Sequence, residues 1–232
     1  MYKRQHLACE KYGIDLVGGD TTSSLTGLTI SVSVLGGAAK EDLVYRSGAK
    51  EGDILCVSGD LGGAYMGLQL LERENEVFKV NDKMQPQLEG YDYILERQLK
   101  PETRPDVIAA FKKIGIKPTS MIDISDGLSS EIMHLCKDSK VGCRLDEAKV
   151  PMDNQTKKMA EELNINPLVA ALNGGEDYEL LFTVSPKDYE KLKNDPDFTA
   201  IGEMVNESAG VHLIAAGGSE IPLQAQGWNH QK

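Results

Sequence analysis

The feature that most constrains the fold is an acidic turn at residues 121–128, where the sequence is MIDISDGL. The apolar residues at its start are typical of a short buried strand, and the residues that follow it have the apolar spacing of a helix. Gly127 allows the backbone to turn tightly between the two elements. The pattern therefore predicts a strand that turns directly into a helix, with Asp123, Ser125 and Asp126 at the corner.

Two interpretations of this corner are open from the turn alone. Carboxylate and hydroxyl oxygens gathered at one corner suit a hard cation such as Mg²⁺ or Ca²⁺ better than zinc. Alternatively, Asp126 or Ser125 caps the helix, and Asp123 is a second acidic neighbour of the helix dipole.

A second acidic turn favours the cation interpretation. It lies at residues 18–22, where the sequence is GGDTT, after an apolar segment at 14–17 that predicts a strand. The alternating run at 27–36 predicts a strand after the turn as well. Because no helix follows Asp20, capping does not account for its carboxylate.

Bulk composition excludes several classes of function. The 232-residue chain has a net charge of -11, so a nucleic-acid backbone would be repelled, whereas a nucleotide carried with Mg²⁺ is compatible. Its apolar stretches are strand-sized and the first residues lack the apolar core of a signal peptide, so we expect a cytoplasmic protein that does not bind membranes.

Two further motifs each have two interpretations. The turn GDLGG at 59–63 lies between a predicted strand at 53–58 and a predicted helix, an arrangement that either binds phosphate or allows close packing of the helix. The segment GGEDYELL at 174–181 carries three carboxylates before a buried strand, and we expect them to face a pocket or solvent.

Trp228, the only tryptophan, lies in a glycine-flanked tail. It is either a platform on which a ring can stack or a buried core residue.

The order of elements predicts an α/β (α+β) fold with a mixed sheet. Strands and helices alternate from residue 53 onward, which is the pattern of a layered α/β domain. A polar stretch at 72–89 interrupts the alternation and predicts loop with ragged helix. The first residues predict the end of a helix at 3–12 and then the two strands, a set too small to bury its own faces. We therefore divide the chain into a remnant of a larger domain at 1–38 and a C-terminal domain at 39–232.

Six motifs, taken in order, carry a family resemblance. They are GGDTT at 18–22, RSGA at 46–49, GDLG at 59–62, DISDGL at 123–128, GEDYEL at 175–180 and GWNH at 227–230. Together they closely resemble the thiamine-monophosphate kinase family, within the aminoimidazole-ribonucleotide synthetase-like superfamily. The resemblance implies a mixed-sheet α/β C-terminal domain preceded by part of an N-terminal ATP-binding and dimerisation domain.

The resemblance also implies an activity, the phosphorylation of thiamine phosphate to thiamine diphosphate by ATP with several Mg²⁺ ions. The residues that match the family's sites are Asp20, Asp123 and Asp126 for Mg²⁺, Gly19, Asp20, Arg46 and Ser125 for ATP, and Glu176 and Trp228 for the substrate. No further catalytic residue is implied. The attacking phosphate oxygen is already anionic, so a strong general base is not required.

The chain departs from the family pattern at its beginning. The family carries an upstream stretch with an Asp-Asp segment that supplies further Mg²⁺ ligands, and with strands that pair across a homodimer. We therefore expect an N-terminally truncated chain with feeble activity, and the sequence leaves open whether it dimerises. At the other end, His230 is followed by Gln231 rather than by the family's usual Phe.

Two alternatives remain at this stage. One is a sibling ATP-dependent enzyme such as selenophosphate synthetase, although the GEDYEL motif and the Trp228 tail favour the thiamine enzyme. The other comes from a different class, a non-catalytic fragment that binds metal or nucleotide.

Overall fold

The structure, a computed structural model, describes residues 2–25, 27–81 and 83–225. The chain divides into two units, residues 1–38 and 39–232. The functional assignment of these units, an ATP-binding remnant and a C-terminal domain, stays a prediction.

The first unit begins with helix α1, Tyr2–Tyr12. Gly13 follows with a φ of 62°, a left-handed conformation that glycine adopts readily at the end of a helix. The amide of Ile14 closes the last turn by donating to the carbonyl of Cys9 at 2.9 Å. The predicted helix is therefore confirmed.

The strands predicted at 14–17 and 27–36 are wrong. Within the described part of residues 13–38, the backbone joins no β-ladder, and apolar side chains such as Val17, Leu28 and Val32 are exposed. Alternating apolar residues favour a strand only when a neighbouring strand accepts the backbone hydrogen bonds and covers the apolar face. The described residues of this unit provide no such neighbour.

The second unit is built on a mixed sheet, as the sequence predicts. In chain order its strands are β1 Ile54–Ser58, β2 Ser120–Asp123, β3 Gly142–Asp146, β4 Leu180–Val184, β5 Phe198–Val205, β6 Val211–Ile214 and β7 Glu220–Pro222. Their order across the sheet is β2-β4-β1-β5-β3-β6-β7. Strands β3 and β6 are parallel, and the other neighbouring pairs are antiparallel.

Seven α-helices of the second unit surround this sheet in the described residues. They are α2 Gly63–Val80, α3 Asp92–Leu99, α4 Pro105–Ile114, α5 Leu128–Ser139, α6 Asn154–Glu162, α7 Pro167–Asn173 and α8 Pro186–Leu192. No helix in this part of the chain has the length and apolar character needed to cross a bilayer.

Alternation along the central strand β1 divides the core between the two faces of the sheet. Leu55 and Val57 belong to the cluster that includes Leu128 and Ile132 of α5. Cys56 belongs to the cluster on the other face with Phe111 of α4, since successive side chains of a strand point to opposite faces. Burying both faces fixes the register of β1, because a shift of one residue would exchange the two sets.

Helix α2 is longer than the sequence predicts. The polar segment 72–80, interpreted as part of a stretch of loop with ragged helix, continues the helix to Val80. Its apolar stripe ends near Leu71, but charged residues are good helix formers, and an exposed Glu76–Lys79 ion pair of 2.6 Å lies on the added turns. Periodicity alone therefore places the end of the helix too early.

Candidate functional site

The corner predicted at residues 121–128 is present. Strand β2 ends at Asp123 and helix α5 begins at Leu128, with Gly127 as the helix N-cap residue at a φ of 115°. Neither Asp126 nor Ser125 caps the helix, and no side chain makes a capping hydrogen bond there. The capping interpretation is therefore wrong, and the carboxylates of Asp123 and Asp126 are exposed for another use.

This acidic corner is joined through the backbone to the segment at 174–179. The amide of Ile124 donates to the carbonyl of Glu179, and the amide of Tyr178 donates to the carbonyl of Ile124, both at 2.8 Å. The amide of Glu176 donates to the carbonyl of Ser125 at 2.8 Å. These bonds extend the β2–β4 ladder beyond Asp123, so the predicted metal motif and the predicted substrate motif are adjacent.

Two glycines make this close approach possible. A Cβ atom at Gly175, where φ is 69°, would lie 2.5 Å from the carbonyl oxygen of Ser125. A Cβ atom at Gly127 would lie 2.7 Å from the carbonyl oxygen of Leu172. Both distances are far below van der Waals contact, so the packing of these loops requires glycine at both positions.

Glu176 and Tyr178 are on the accessible side of the segment. The Tyr178 hydroxyl donates to Oε2 of Glu176 at 3.0 Å. Burial raises the pKa of Tyr178, and the hydrogen bond to Glu176 and the negative charges of Asp123 and Asp126 raise it further. The structure therefore places a phenol and three carboxylates in one electrostatic environment.

Glu131 lies buried behind the acidic corner. Its Oε1 accepts the backbone N–H of Asp126 at 3.2 Å, and burial raises the pKa of Glu131 to about 7. The nearby negative charges of Asp126 and Asp123 act in the same direction. Sequence analysis did not identify this residue, and its spacing of one helical turn after Gly127 was the available signal.

The acidic corner is compatible with a divalent cation. Among the residues that the structure describes, no basic side chain pairs with the carboxylate of Asp123 or Asp126, so their charge is uncompensated. Hard oxygen donors of this kind are the ligands that Mg²⁺ prefers. However, no group of three His, Cys, Asp or Glu side chains in the described residues is close enough to hold a metal ion.

Asp20 and Gly19 belong to the first unit, and their assignment to the metal and ATP sites stays a prediction. The Asp20 carboxylate accepts the N–H of Thr21 at 2.8 Å. Trp228 lies outside the described residues, so its predicted role in substrate binding is not tested.

Arg46 precedes the turn that runs beside β2. The carbonyl of Tyr45 accepts the amide of Met121 at 2.9 Å, and Arg46 pairs loosely with Asp138 at 3.6 Å. A Cβ atom at Gly48 would lie 2.5 Å from the carbonyl oxygen of Thr119, which explains the glycine in this motif. Arg46 and Ser125 as ATP contacts stay predictions.

The other carboxylates of the 174–181 motif correct our expectation. Asp177 and Glu179 are each only 2% exposed, so Asp177 faces neither a pocket nor solvent, and Glu179 reaches a cavity only as part of a buried ion-pair network. Burial alternates along this segment, since Glu176 is exposed and Tyr178 is half-buried, whereas Asp177 and Glu179 are buried.

Asp177 also explains the glycine-rich turn at 59–63. The N–H of Gly62 donates to Oδ2 of Asp177 at 2.9 Å, at the beginning of helix α2. The protein's own carboxylate thus occupies the position that a phosphate would take at this helix N-terminus. A Cβ atom at Gly62 would lie 2.9 Å from the backbone N of Ala171, and one at Gly67 would lie 2.1 Å from the carbonyl oxygen of Ile94, so the interpretation that these glycines allow close helix packing is confirmed.

Two arginines that sequence analysis missed hold the buried side of the segment. Arg97 pairs with Glu179 at 2.9 Å, and Arg104 pairs with the other oxygen of the same carboxylate. Both arginines line a cavity of about 300 Å³. The only signal for them in the sequence was that the two arginines flank the α3–α4 connection, in a segment rich in charge.

Comparison with known proteins identifies the family. The model of the C-terminal domain of AIR synthase related proteins matches residues 50–214. The thiamine-monophosphate kinase of Buchnera aphidicola subsp. Schizaphis graminum is 34% identical over 226 residues, which are 95% of this chain and 65% of the relative. The enzyme of the same name from Bacillus subtilis is 31% identical, over 100% of this chain and 69% of the relative.

A solved structure agrees with these matches. The complex of AaThiL with AMPPCP and TMP is 33% identical with a TM-score of 0.64, and the match covers 81% of this chain and 54% of that chain. The chain thus spans about two thirds of the length of the relatives that it matches. The sequence similarity extends over nearly the whole chain, and the domain match and the shared fold agree with it. This chain therefore belongs to the thiamine-monophosphate kinase family.

Proposed function

We propose that the protein transfers the γ-phosphoryl group of ATP to thiamine phosphate. An anionic oxygen of the thiamine phosphate attacks the γ-phosphorus, and a new P–O bond forms. The bond from the γ-phosphorus to the β,γ-bridging oxygen breaks, and the products are thiamine diphosphate and ADP. The nucleophile carries no proton that must be removed, so binding and charge neutralisation supply the catalysis.

The observation that best supports this proposal is the union of the two motifs by backbone hydrogen bonds. The amides of Ile124, Glu176 and Tyr178 connect the acidic corner to the 174–179 segment. The uncompensated carboxylates of Asp123 and Asp126 therefore lie beside Glu176, the residue expected to contact the substrate. A phosphate acceptor bound at Glu176 would be next to the cation site.

In the proposed site, Asp20, Asp123 and Asp126 hold Mg²⁺, and Gly19, Asp20, Arg46 and Ser125 contact ATP. Bound Mg²⁺ neutralises phosphate charge that would otherwise keep the two anionic substrates apart. Arg46 adds a permanent positive charge and a planar donor geometry suited to phosphate oxygens.

Glu176 and Trp228 are the proposed substrate contacts. The carboxylate of Glu176 suits the positive charge of a thiazolium ring, and an indole suits stacking on a flat ring. In the relative of known structure, AMPPCP, an ATP analogue, and TMP are bound together, which supports the same pair of substrates here.

The test is an assay of the purified chain with ATP, thiamine phosphate and Mg²⁺, in which thiamine diphosphate and ADP are quantified by chromatography. We expect equal amounts of the two products and loss of both in Asp126→Asn. The matched control is Glu190→Gln, which removes an exposed carboxylate on α8 that pairs with Lys193. This control should keep the wild-type rate.

Thermal shifts with Mg-AMPPCP, thiamine phosphate and both together test binding separately from turnover, because a ligand stabilises the state that it binds. Stabilisation by thiamine phosphate supports the proposal. Stabilisation by Mg²⁺ with no further response to Mg-AMPPCP or thiamine phosphate contradicts it and favours a metal-binding fragment. Consumption of ATP without thiamine diphosphate would favour another ATP-dependent enzyme of the same superfamily.

A further inference from the structure

The segment at 176–179 has a buried side whose contacts the proposed function does not use. Asp177 and Glu179 point away from the acidic corner, and Arg97 of helix α3 contacts both of these residues. Arg97 donates from Nη1 to Oε1 of Glu179 at 2.9 Å and from Nη2 to the carbonyl of Asp177 at 2.9 Å. Nη2 also donates to the carbonyl of Asp60 at 3.2 Å.

Further bonds hold the Glu179 carboxylate. The Ser58 hydroxyl donates to Oε2 of Glu179 at 2.6 Å, and the same hydroxyl accepts the N–H of Leu180 at 2.9 Å. Arg104 donates to Oε2 of Glu179 as well. Of this set, only Arg97 contacts the backbone of the segment through its guanidinium and also binds Glu179.

On the accessible side, Glu176 and Tyr178 have unusual backbone conformations. Their φ angles are 61° and 53°, in the left-handed region that non-glycine residues adopt rarely. Such conformations cost free energy and persist only where surrounding contacts determine them. The contacts that can determine them include the hydrogen bonds to residues 124 and 125 on one side, and on the other side those of Arg97 and the bond from the Gly62 N–H to Asp177.

We propose that Arg97 is a positioning residue for substrate binding, which acts by fixing the backbone that presents Glu176 and Tyr178. Because the inference concerns the substrate side of the same site, it rests on the proposed function. Arg97 does not touch the substrate. Its planar guanidinium joins three acceptors at fixed angles, which a lysine ammonium on a flexible chain does not reproduce.

The first test is amide hydrogen exchange in the ligand-free protein, with Arg97→Lys as the variant. Lysine keeps a cation beside the buried Glu179 and so protects folding. We expect the amides of Glu176 and Tyr178 to exchange about tenfold faster, with unchanged exchange in strand β1, because opening is then local. The matched control is Arg73→Lys, since Arg73 also makes two ion pairs, with Glu74 and Glu162.

The second test measures binding by calorimetry. In Arg97→Lys we expect the Kd for thiamine phosphate to rise about tenfold and the Kd for Mg-AMPPCP to change by less than about twofold. A merely structural role would weaken both ligands or neither.

Four outcomes overturn the inference: unchanged exchange at the two amides, a uniform increase over all amides, the same local increase in Arg73→Lys, or local opening without weaker thiamine phosphate binding. If the wild-type protein does not bind thiamine phosphate, the proposed function fails, and the substrate role of Arg97 fails with it. The exchange data then decide separately whether Arg97 holds the segment.

Discussion

The two acidic turns share a sequence plan and differ in their surroundings. At the turn around Asp123 and Asp126, backbone hydrogen bonds, Gly127 and Gly175 lock the corner against the 174–179 segment. At the turn around Asp20, a Cβ atom built on Gly18 or Gly19 would lie within 4 Å of no described atom other than those of the glycine and its two chain neighbours.

This difference shows that a motif can carry suitable donor atoms without being held in one conformation by its neighbours. Glycine, carboxylate and hydroxyl residues supply the donors in both turns. Among the described residues, only the turn at Asp123 and Asp126 has neighbours that hold those donors in place, and a preorganised site binds more strongly because less ordering accompanies binding.

The largest expected effect comes from a methyl group at the locked turn. Gly175→Ala places a Cβ atom 2.5 Å from the Ser125 carbonyl oxygen at a φ of 69°. We expect the free energy of unfolding to fall by about 3 kcal/mol, measured by urea denaturation. In the matched variant Gly18→Ala we expect a change within about 0.5 kcal/mol. Equal losses of unfolding free energy in both variants would contradict the difference between the two turns.

The free energy of unfolding should depend on pH through Asp177, the buried carboxyl group of the 174–179 segment that packs against the acidic corner. Burial raises the pKa of Asp177 from 3.8 to about 7 in the folded protein. The folded state then binds a proton that the unfolded chain has already released, so the free energy of unfolding falls as pH rises through this window. Between pH 5 and pH 7 we expect a loss on the order of 2 kcal/mol, because each pH unit between the unfolded and folded pKa values corresponds to about 1.4 kcal/mol.

The control for this pH dependence is Asp177→Asn, which keeps an acceptor for the Gly62 N–H and cannot ionise. Glu131, with a pKa raised to about 7, contributes a slope of the same sign in both proteins. The difference between the two denaturation series therefore isolates Asp177. Identical slopes would show that Asp177 is already ionised at low pH in the folded state.

The stabilisation by bound Mg²⁺ should be smaller than these changes in the free energy of unfolding, and it should depend on the acidic turns. At Mg²⁺ equal to ten times its Kd, we expect a stabilisation of about 1.4 kcal/mol in wild type and almost none in Asp126→Asn. The melting temperature measured with and without Mg²⁺ checks this, with Glu190→Gln as the control. A full Mg²⁺ response in Asp126→Asn would remove this turn from the metal site.

The smallest expected effect on stability is at Arg46. Its ion pair with Asp138 is 3.6 Å long, and the two side chains are 52% and 43% exposed. Such pairs contribute little, so Arg46→Ala should change the free energy of unfolding by less than about 0.5 kcal/mol. We nevertheless expect weaker Mg-AMPPCP binding in calorimetry. A destabilised protein with unchanged affinity would assign Arg46 a structural role instead.

The sequence predicts what depends on local pattern and misses what depends on distant partners. The strand ending at Asp123 and the helix beginning at Leu128 follow from periodicity and from Gly127. The buried role of Asp177 was not predictable in this way, because its partners Gly62 and Arg97 are 115 and 80 positions away in the chain.

In the first unit, the local pattern predicted strands that the structure does not form. The alternating apolar residues at 27–36 are a valid strand pattern, yet a strand also requires a partner that the pattern does not specify. The expectation that the carboxylates at 176–179 face a pocket or solvent was likewise based on local pattern, but the side chains of Asp177 and Glu179 are buried. Tertiary packing decides which side of this segment contacts Arg97 and Arg104.

The measurement that tests the central claim most directly is paramagnetic broadening by Mn²⁺, used in place of Mg²⁺ with AMPPCP. The proposed function assigns residues of both acidic turns, at 18–22 and 123–127, to Mg²⁺ binding. Amide resonances of both turns should then broaden together at substoichiometric Mn²⁺ and recover together when excess Mg²⁺ is added. Broadening of residues 123–127 alone, with the resonances of residues 18–22 unchanged, would contradict it.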